Sequence, residues 1–504
     1  MWPLLVGLAL TLTGWTLTRI EARVRNSWSL ALVIDIGPPL LMFALFLAMT
    51  ARPIFAGVIT FALMGGFAFL DWVKRETLRE PVVFSDLGEA IELFRHPRLY
   101  LPFAGPTRVI ATAAAAAVAL IALLVVEPPQ WSWSPWPPLI VFGGAVGFGW
   151  VVHGPKLEWA ARRLRRLNLS GDPIADASLL GLCAVQLIYS QIARDERGAR
   201  RAQANLRTPA IIVRPSSAAA PVMVVQCESF FDPRRLHAGI PSDIVPAFDN
   251  CCRSGIRWGN LTVPGWGANT MRAEFAVMTG LSEEAIGLDR FNPYFAFARA
   301  PLASLARRMR ADGHRTICLH PFDRTFYRRD EVMPHLGFDV FLGEEAFSGA
   351  TRVGHYIADT EVARVAVDIL REERSPIFLF AITMDNHGPW LPITPDAPKH
   401  ERFAGVPSTS EDGELAQFLS GVRRSDAMLG HLTEALSERA GMCAFYGDHL
   451  PSLPATFAAC GFDEISTDYA IWHPDAATPV RRDLAAHELS DAIFEAYRAT
   501  RSGL

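Results

Sequence analysis

The sequence predicts two unlike halves. An N-terminal all-α transmembrane region of about five helices precedes an α/β domain whose mostly parallel sheet is sandwiched by helices. Three observations carry this. Half of the 504 residues (50%) are hydrophobic and mean hydropathy is +0.18, high for a soluble chain. That apolar excess concentrates before about residue 155. From about residue 211, short β-rich apolar runs alternate with helical ones, the pattern of a parallel sheet covered on both faces. The length exceeds one ordinary domain. The chain divides into a transmembrane domain over 1–155, an amphipathic and linker segment over 156–210, and a catalytic α/β domain over 211–504.

A helix crosses a bilayer core with about 20 apolar residues. Five stretches qualify: 2–18, 29–50, 54–70, 108–126 and 136–152. The second contains Asp35 and a Pro pair, the fourth ("VIATAAAAAVALIALLVV") is the clearest, and the fifth is short and Gly-rich. Stretch 2–18 lacks a basic leader and further spans follow it, so it reads as a span rather than a cleaved signal peptide. Basic residues crowd the first loop (Arg19, Arg23, Arg25), the loop before span four (Lys74, Arg75, Arg79, Arg95, Arg98) and the stretch after span five (Arg162, Arg163, Arg165, Arg166). Counted literally, they place the C-terminal half in the cytoplasm. "WSWSPW" fits an interfacial aromatic belt. Segment 156–193 looks amphipathic and either lies along the membrane surface or leads into the next domain, and 194–210 is polar and reads as a linker. Net charge is −4 with no nucleic-acid signature, and seven scattered Cys form no CxxC pair, which argues against a zinc knuckle.

In the second half the candidate strands are 222–227, 314–320, 339–342, 376–384, 442–447 and 469–474. Candidate helices are 301–312, 325–336, 358–373, 412–438 and 485–499. Ligands of such sheets bind beyond the carboxyl ends of the strands. There "VMVVQC" runs into Glu228, "PIFLFAITM" into Asp385, Asn386 and His387, and "MCAFYG" into Asp448 and His449. Glu228, Asp448 and His449 form an O/N set suited to a divalent ion such as Mn²⁺, Mg²⁺ or Zn²⁺. In "GWGANTMRAEF", Thr270 opens a helix after a Gly-rich turn. A Thr there is ordinarily a cap. As a hydroxyl ligand of the same ion it becomes a nucleophile. His387 in "DNHGPW" is the candidate acid and base. Arg328 and Arg329 in "FYRRD" offer forked donors to phosphate oxygens.

These motifs together ("VVQCESF", "GANTMRAEF", "FDRTFYRRD", "MDNHGPW", "YGDHLPSL", and "REPVVFSDL" after the third span) resemble the lipoteichoic acid synthase family of the alkaline phosphatase/sulfatase superfamily. The resemblance implies an alkaline-phosphatase/sulfatase-like fold over 211–504 and phosphoglycerol transferase activity. By residue, it implies Glu228, Thr270, Asp448 and His449 as metal ligands, Thr270 as nucleophile and His387 as the active-site histidine. Tyr327 and Arg329 would contact glycerol phosphate. It further implies one Mn²⁺-type ion and phosphatidylglycerol as a membrane donor that releases diacylglycerol to a glycan or polymer acceptor. The protein would be multi-pass in the bacterial inner membrane with its catalytic domain outward, against the literal charge count. The chain departs from the family at Met271 and Arg272, where small or acidic residues commonly follow the nucleophile. Arg272 either adds a phosphate contact or faces solvent. "TMRAE" lacks the formylglycine pattern of sulfatases. A phosphoethanolamine transferase or phosphodiesterase shares the same machinery, and a silent envelope scaffold is the reading from another class.

Overall fold

The computed structural model describes residues 2–25, 29–86, 106–130, 169–206, 220–299, 302–373, 375–390, 405–476 and 478–501, with isolated positions between them. They fall into two units, Met1–Glu196 and Arg197–Leu504.

The first unit is helical: α1 (Trp2–Glu21), α2 (Ser29–Thr50), α3 (Pro53–Leu78), α4 (Pro106–Val126) and α5 (Pro173–Leu180), with the start of α6 (Leu182–Leu206). Helices α1 to α3 are long and apolar enough to cross a membrane, which makes this an integral membrane protein. The first four expected spans all appear as helices. The fifth, 136–152, lies outside the described residues apart from isolated positions, as do residues 156–168 of the amphipathic segment. Helix α2 continues through Pro38 and Pro39, as neighbouring groups in a membrane bundle allow. Helix α3 runs past residue 70 to Leu78, and Asp71 and Arg75 pair across one turn of that extension at 2.6 Å. Residues 194–206, expected to be linker, instead continue α6. Their Arg, Ala, Glu and Gln are strong helix formers, so polarity there marks solvated faces rather than irregular chain.

A buried carboxylate ties this unit together. Asp35 of α2 is 0% exposed. It accepts from Trp15 Nε1 at 2.8 Å and Arg19 Nη1 at 2.9 Å on α1. The backbone N–H groups of Cys183 and Ala184, both at 3.1 Å, complete its shell at the positive end of α6.

The second unit is built on a sheet. Its strands are β1 (Val222–Cys227), β2 (Arg257–Thr262), β3 (Arg315–Leu319), β4 (Val340–Leu342), β7 (Ile377–Ile382), β8 (Met442–Gly447), β9 (Ser466–Trp472), β10 (Val480–Arg481) and β11 (Leu484–Ala485), while β5 (Arg352–Val353) and β6 (Tyr356–Ile357) form a separate hairpin. The order is β10-β2-β9-β8-β1-β7-β3-β4, with β11 also on β2. Strands β8, β1, β7, β3 and β4 run parallel, and β9 is antiparallel to both β2 and β8. Alternate side chains of β1 enter opposite cores. Val222 and Val224 pack with Met271 and Phe275 of α7 (Thr270–Thr279), Val332 of α8 (Arg329–Leu336) and Ile493 of α11 (Ala486–Arg501). Met223 and Val225 pack with Val362 of α9 (Asp359–Glu372) and Phe418 of α10 (Asp412–Ser437). All six expected strands are present. Strand β2 was not among them because "RWGNLT" has few apolar residues and lies toward the edge, where one partner is a two-residue strand.

Asp35→Ala removes the one carboxylate that Trp15 Nε1, Arg19 and the Cys183 and Ala184 N–H groups share. Breaking a buried ion pair from one side costs about 3–5 kcal/mol. The melting temperature of the full chain in detergent is expected to fall by several degrees, and an unchanged melt would contradict the clamp.

Candidate active site

Strands β1 and β8 are hydrogen-bonded neighbours whose last residues, Cys227 and Gly447, are register partners. The next residues, Glu228 and Asp448, therefore leave the sheet side by side. The crossing is tight: a Cβ on Gly447 would lie 1.7 Å from the Phe230 carbonyl oxygen, so only glycine ends β8. Glu228, Asp448 and His449 are all buried, with one ligand atom from each lying within 4.8 Å of the others. His449 Nε2 is 3.3 Å from Glu228 Oε1 and 3.5 Å from Asp448 Oδ2. The other ring nitrogen, Nδ1, is 3.0 Å from the Leu450 carbonyl oxygen. A carbonyl only accepts, so Nδ1 carries a hydrogen and Nε2 is the nitrogen that faces the carboxylates.

Thr270 completes the cluster, its Oγ1 standing 3.4 Å from His449 Nε2. It is not the helix cap. The cap position belongs to Asn269 in left-handed conformation (φ 70°), and Thr270 is the first helical residue. The hydroxyl lies by the positive end of α7, where negative charge is favoured.

The electrostatics fit a divalent cation. Burial, then the neighbouring Glu228 charge, push the Asp448 carboxyl up to about 7. Burial works against a charged His449, but the Asp448 and Glu228 carboxylates outweigh it and its pKa is raised. Asp448 Oδ2 is buried without a hydrogen-bond partner. Two buried acids, one orphaned oxygen and an imidazole nitrogen turned toward them are, once deprotonated, the donor set of a hard or borderline metal ion.

Two residues that sequence reasoning did not single out position this set. Ser229 lies in the left-handed region (φ 54°) although it is not glycine, a strain typical of functional sites. Its N–H donates to Asp448 Oδ1 at 2.8 Å and its hydroxyl to Glu228 Oε1 at 2.9 Å. Thr383, just past β7, accepts the Glu228 N–H at 3.0 Å. Local sequence gives no signal for either, because Asp448 and Thr383 meet the end of β1 only in the folded sheet.

The remaining expected residues fall into different settings. Arg329 is only 1% exposed. Its Nε and Nη2 bind Glu274 at 3.1 and 2.8 Å, and Nη1 lies 3.2 Å from His320 Nε2. Glu274 stands one turn along α7 from Thr270 and also accepts the Tyr294 hydroxyl and Gln226 Nε2. Burial first, then Arg329, drive the His320 pKa well down. Tyr327 and Arg328 both adopt left-handed conformations (φ 55° and 58°), kinking the helix expected over 325–336. The Tyr327 ring lies 5.3 Å from the Arg329 guanidinium, and Arg328 pairs with Glu331 at 2.8 Å. Arg272 does not face solvent: it is 4% exposed, with Nε donating to the Phe291 carbonyl at 3.2 Å. Following β7, Asp385 is bound to Arg424 rather than to the metal-type cluster. His387 is half-buried, with Nδ1 2.6 Å from the Gly388 carbonyl oxygen.

A comparison with protein-family models matches residues 221–495 to the Sulfatase family. A capsular polysaccharide biosynthesis protein of Rhizobium meliloti, RkpI, is 30% identical over 455 residues, covering 86% of this chain and 79% of its own. A lipoteichoic acid synthase of Staphylococcus saprophyticus is 25% identical over 145 residues, 27% of this chain and 21% of its own. The solved integral membrane lipooligosaccharide phosphoethanolamine transferase A of Neisseria meningitidis is 12% identical, with a TM-score of 0.55 over 98% of this chain and 95% of its own, a likeness of fold.

A cation must displace protons from Asp448 and His449 to bind. Divalent affinity is therefore expected to fall as pH drops through about 7, the Asp448 value, by about tenfold per pH unit for each proton displaced. Mn²⁺ titration of the full chain between about pH 6 and 8 checks this; a flat profile, or full occupancy in Glu228→Gln, would contradict it.

Proposed function

Because this chain belongs to the Sulfatase family, we propose that it is a membrane-bound, metal-dependent phosphoglycerol transferase. It moves glycerol phosphate from phosphatidylglycerol to an envelope glycan or polymer through a phospho-Thr270 intermediate. The observation that carries the reading is the Thr270 hydroxyl at a helix start, 3.4 Å from the His449 nitrogen that also faces two buried carboxylates. Glu228, Asp448, His449 and Thr270 would hold one divalent ion, Mn²⁺ by the motif resemblance. When bound, that ion supplies the positive charge that lets the Thr270 hydroxyl lose its proton near neutral pH.

The chain's own residues then account for two displacements. Thr270 Oγ1 bonds to phosphorus as the bond to the diacylglycerol oxygen breaks, and His387 Nε2 gives the leaving oxygen a proton. In the second step His387 Nε2 takes the proton of an acceptor hydroxyl, whose oxygen bonds to phosphorus while the bond to Thr270 breaks. The histidine thus returns to its starting state. The α7 N-terminus favours phosphate at Thr270. Arg329 is fixed, its charge balanced, by Glu274 one turn along α7 from Thr270, and Tyr327 packs against that guanidinium. Arg272 acts from within the protein, holding the segment around Phe291 against the start of α7. Arg328, beside Glu331, offers a further cationic contact on the approach to Tyr327.

RkpI is described as a capsular polysaccharide biosynthesis protein, which supports a saccharide acceptor here. Donor and acceptor chemistry both favour a catalytic domain outside the inner membrane, and a reporter fused to the C-terminus is expected to read outside. A cytoplasmic readout would overturn that orientation.

Purified full chain with labelled phosphatidylglycerol and Mn²⁺ is expected to release diacylglycerol. Thr270→Ala should lower the rate by at least about 10³-fold, the scale on which loss of a nucleophile acts. Turnover of phosphatidylethanolamine but not phosphatidylglycerol would reassign the headgroup. No turnover of either, with metal bound, would leave a non-catalytic scaffold.

A further inference from the structure

We propose that Tyr356 and the Asp385–Arg424 ion pair are positioning groups that hold His387 in one place and one tautomer, with Nε2 as its proton-handling atom. This rests on the reading of His387 as acid and base given above. The Gly388 carbonyl oxygen, 2.6 Å from Nδ1, is purely an acceptor, so Nδ1 carries the hydrogen. The Tyr356 hydroxyl lies 3.3 Å from that same nitrogen, and the two rings stand 5.4 Å apart at 49°. Both contacts are made at Nδ1, which leaves Nε2 as the nitrogen that gives and takes the proton.

The loop carrying His387 is fixed from behind. Asp385, two residues earlier, has a side chain 0% exposed and takes Arg424 Nε and Nη2 at 2.7 and 2.8 Å, a forked pair. Its Oδ2 also accepts the N–H of Asp359, at the start of α9, at 3.2 Å. Asp359 follows the hairpin strand that carries Tyr356, so one short stretch of chain grips both the loop and the imidazole. Asn386 is held as closely: its carbonyl and its Oδ1 both accept from Trp390 Nε1 at 3.1 Å. Helix α10 passes so near that a Cβ on Gly421 would lie 2.0 Å from Asn386 Oδ1. Burial first, then the charge of Glu228, keep the Tyr356 phenol protonated. Tyr356 is therefore within electrostatic reach of the carboxylate cluster while touching His387.

A group that only orients the acid–base residue changes the chemical step and leaves substrate binding alone. The test uses the full chain in detergent with Mn²⁺ and phosphatidylglycerol or phosphatidylethanolamine, whichever the wild type turns over. Tyr356→Phe keeps the ring and removes only the hydroxyl. It is expected to lower kcat about tenfold, within the range of acid–base catalysis, with KM within about twofold and melting unchanged. Arg424→Lys should retain more kcat than Arg424→Met at equal melting temperature. If His387→Ala is inactive while Tyr356→Phe keeps wild-type kcat, or its loss falls on KM, the positioning role is overturned. If His387→Ala itself keeps wild-type kcat, the acid–base assignment fails first and the positioning role with it.

Discussion

The register between β1 and β8 sets two acids side by side where solvent cannot separate their charges. Each strand is anchored by its neighbours, so Glu228 and Asp448 have no freedom to move apart. Burial first, then the Glu228 charge, push the Asp448 carboxyl up to about 7. The surroundings are arranged around that pair. Gly447 permits the chain crossing, Ser229 accepts a left-handed backbone to reach both carboxylates, and Leu450 fixes the His449 tautomer.

Contrast with two other buried acids gives the pair its meaning. Glu274 sits in the same unit, fully buried, and is neutralised by the Arg329 fork. Asp385 is equally enclosed and is neutralised by Arg424. Among the described residues, neither Glu228 nor Asp448 has an arginine or lysine partner. His449, whose pKa the two carboxylates raise, balances at most one of these buried charges, so the site is suited to receive further positive charge from outside. The hydroxyl that would use that charge, Thr270, stands within 3.4 Å of His449 at a helix start.

Much of this was legible in the sequence. Long apolar runs force helices in a bilayer, and four of the five expected spans fall on described helices. The parallel strands are apolar throughout because both faces are covered, so "VMVVQC" and "MCAFYG" appear with their expected ends. Their downstream residues meet because parallel neighbours in register end together. What sequence did not disclose depends on contacts across long separations. Arg272 and Arg329 read as phosphate donors, yet one binds a backbone carbonyl 19 residues on and the other a glutamate 55 residues back. Arginine's forked geometry suits either partner, and only tertiary packing decides between them. Ser229, Thr383 and Tyr356 were missed for the same reason. The polar stretch 194–206 misled differently: composition reported its solvation, while backbone propensity made it helix.

On the proposed mechanism Thr270 becomes covalently phosphorylated. The most direct measurement is mass spectrometry of the full chain incubated with phosphatidylglycerol and Mn²⁺ and quenched in acid with no glycan acceptor present. A peptide spanning Thr270 is expected to carry a glycerol phosphate adduct, absent in Thr270→Ala and chased away by acceptor. Diacylglycerol release at full rate with no adduct on Thr270, or an adduct on another residue, would contradict it.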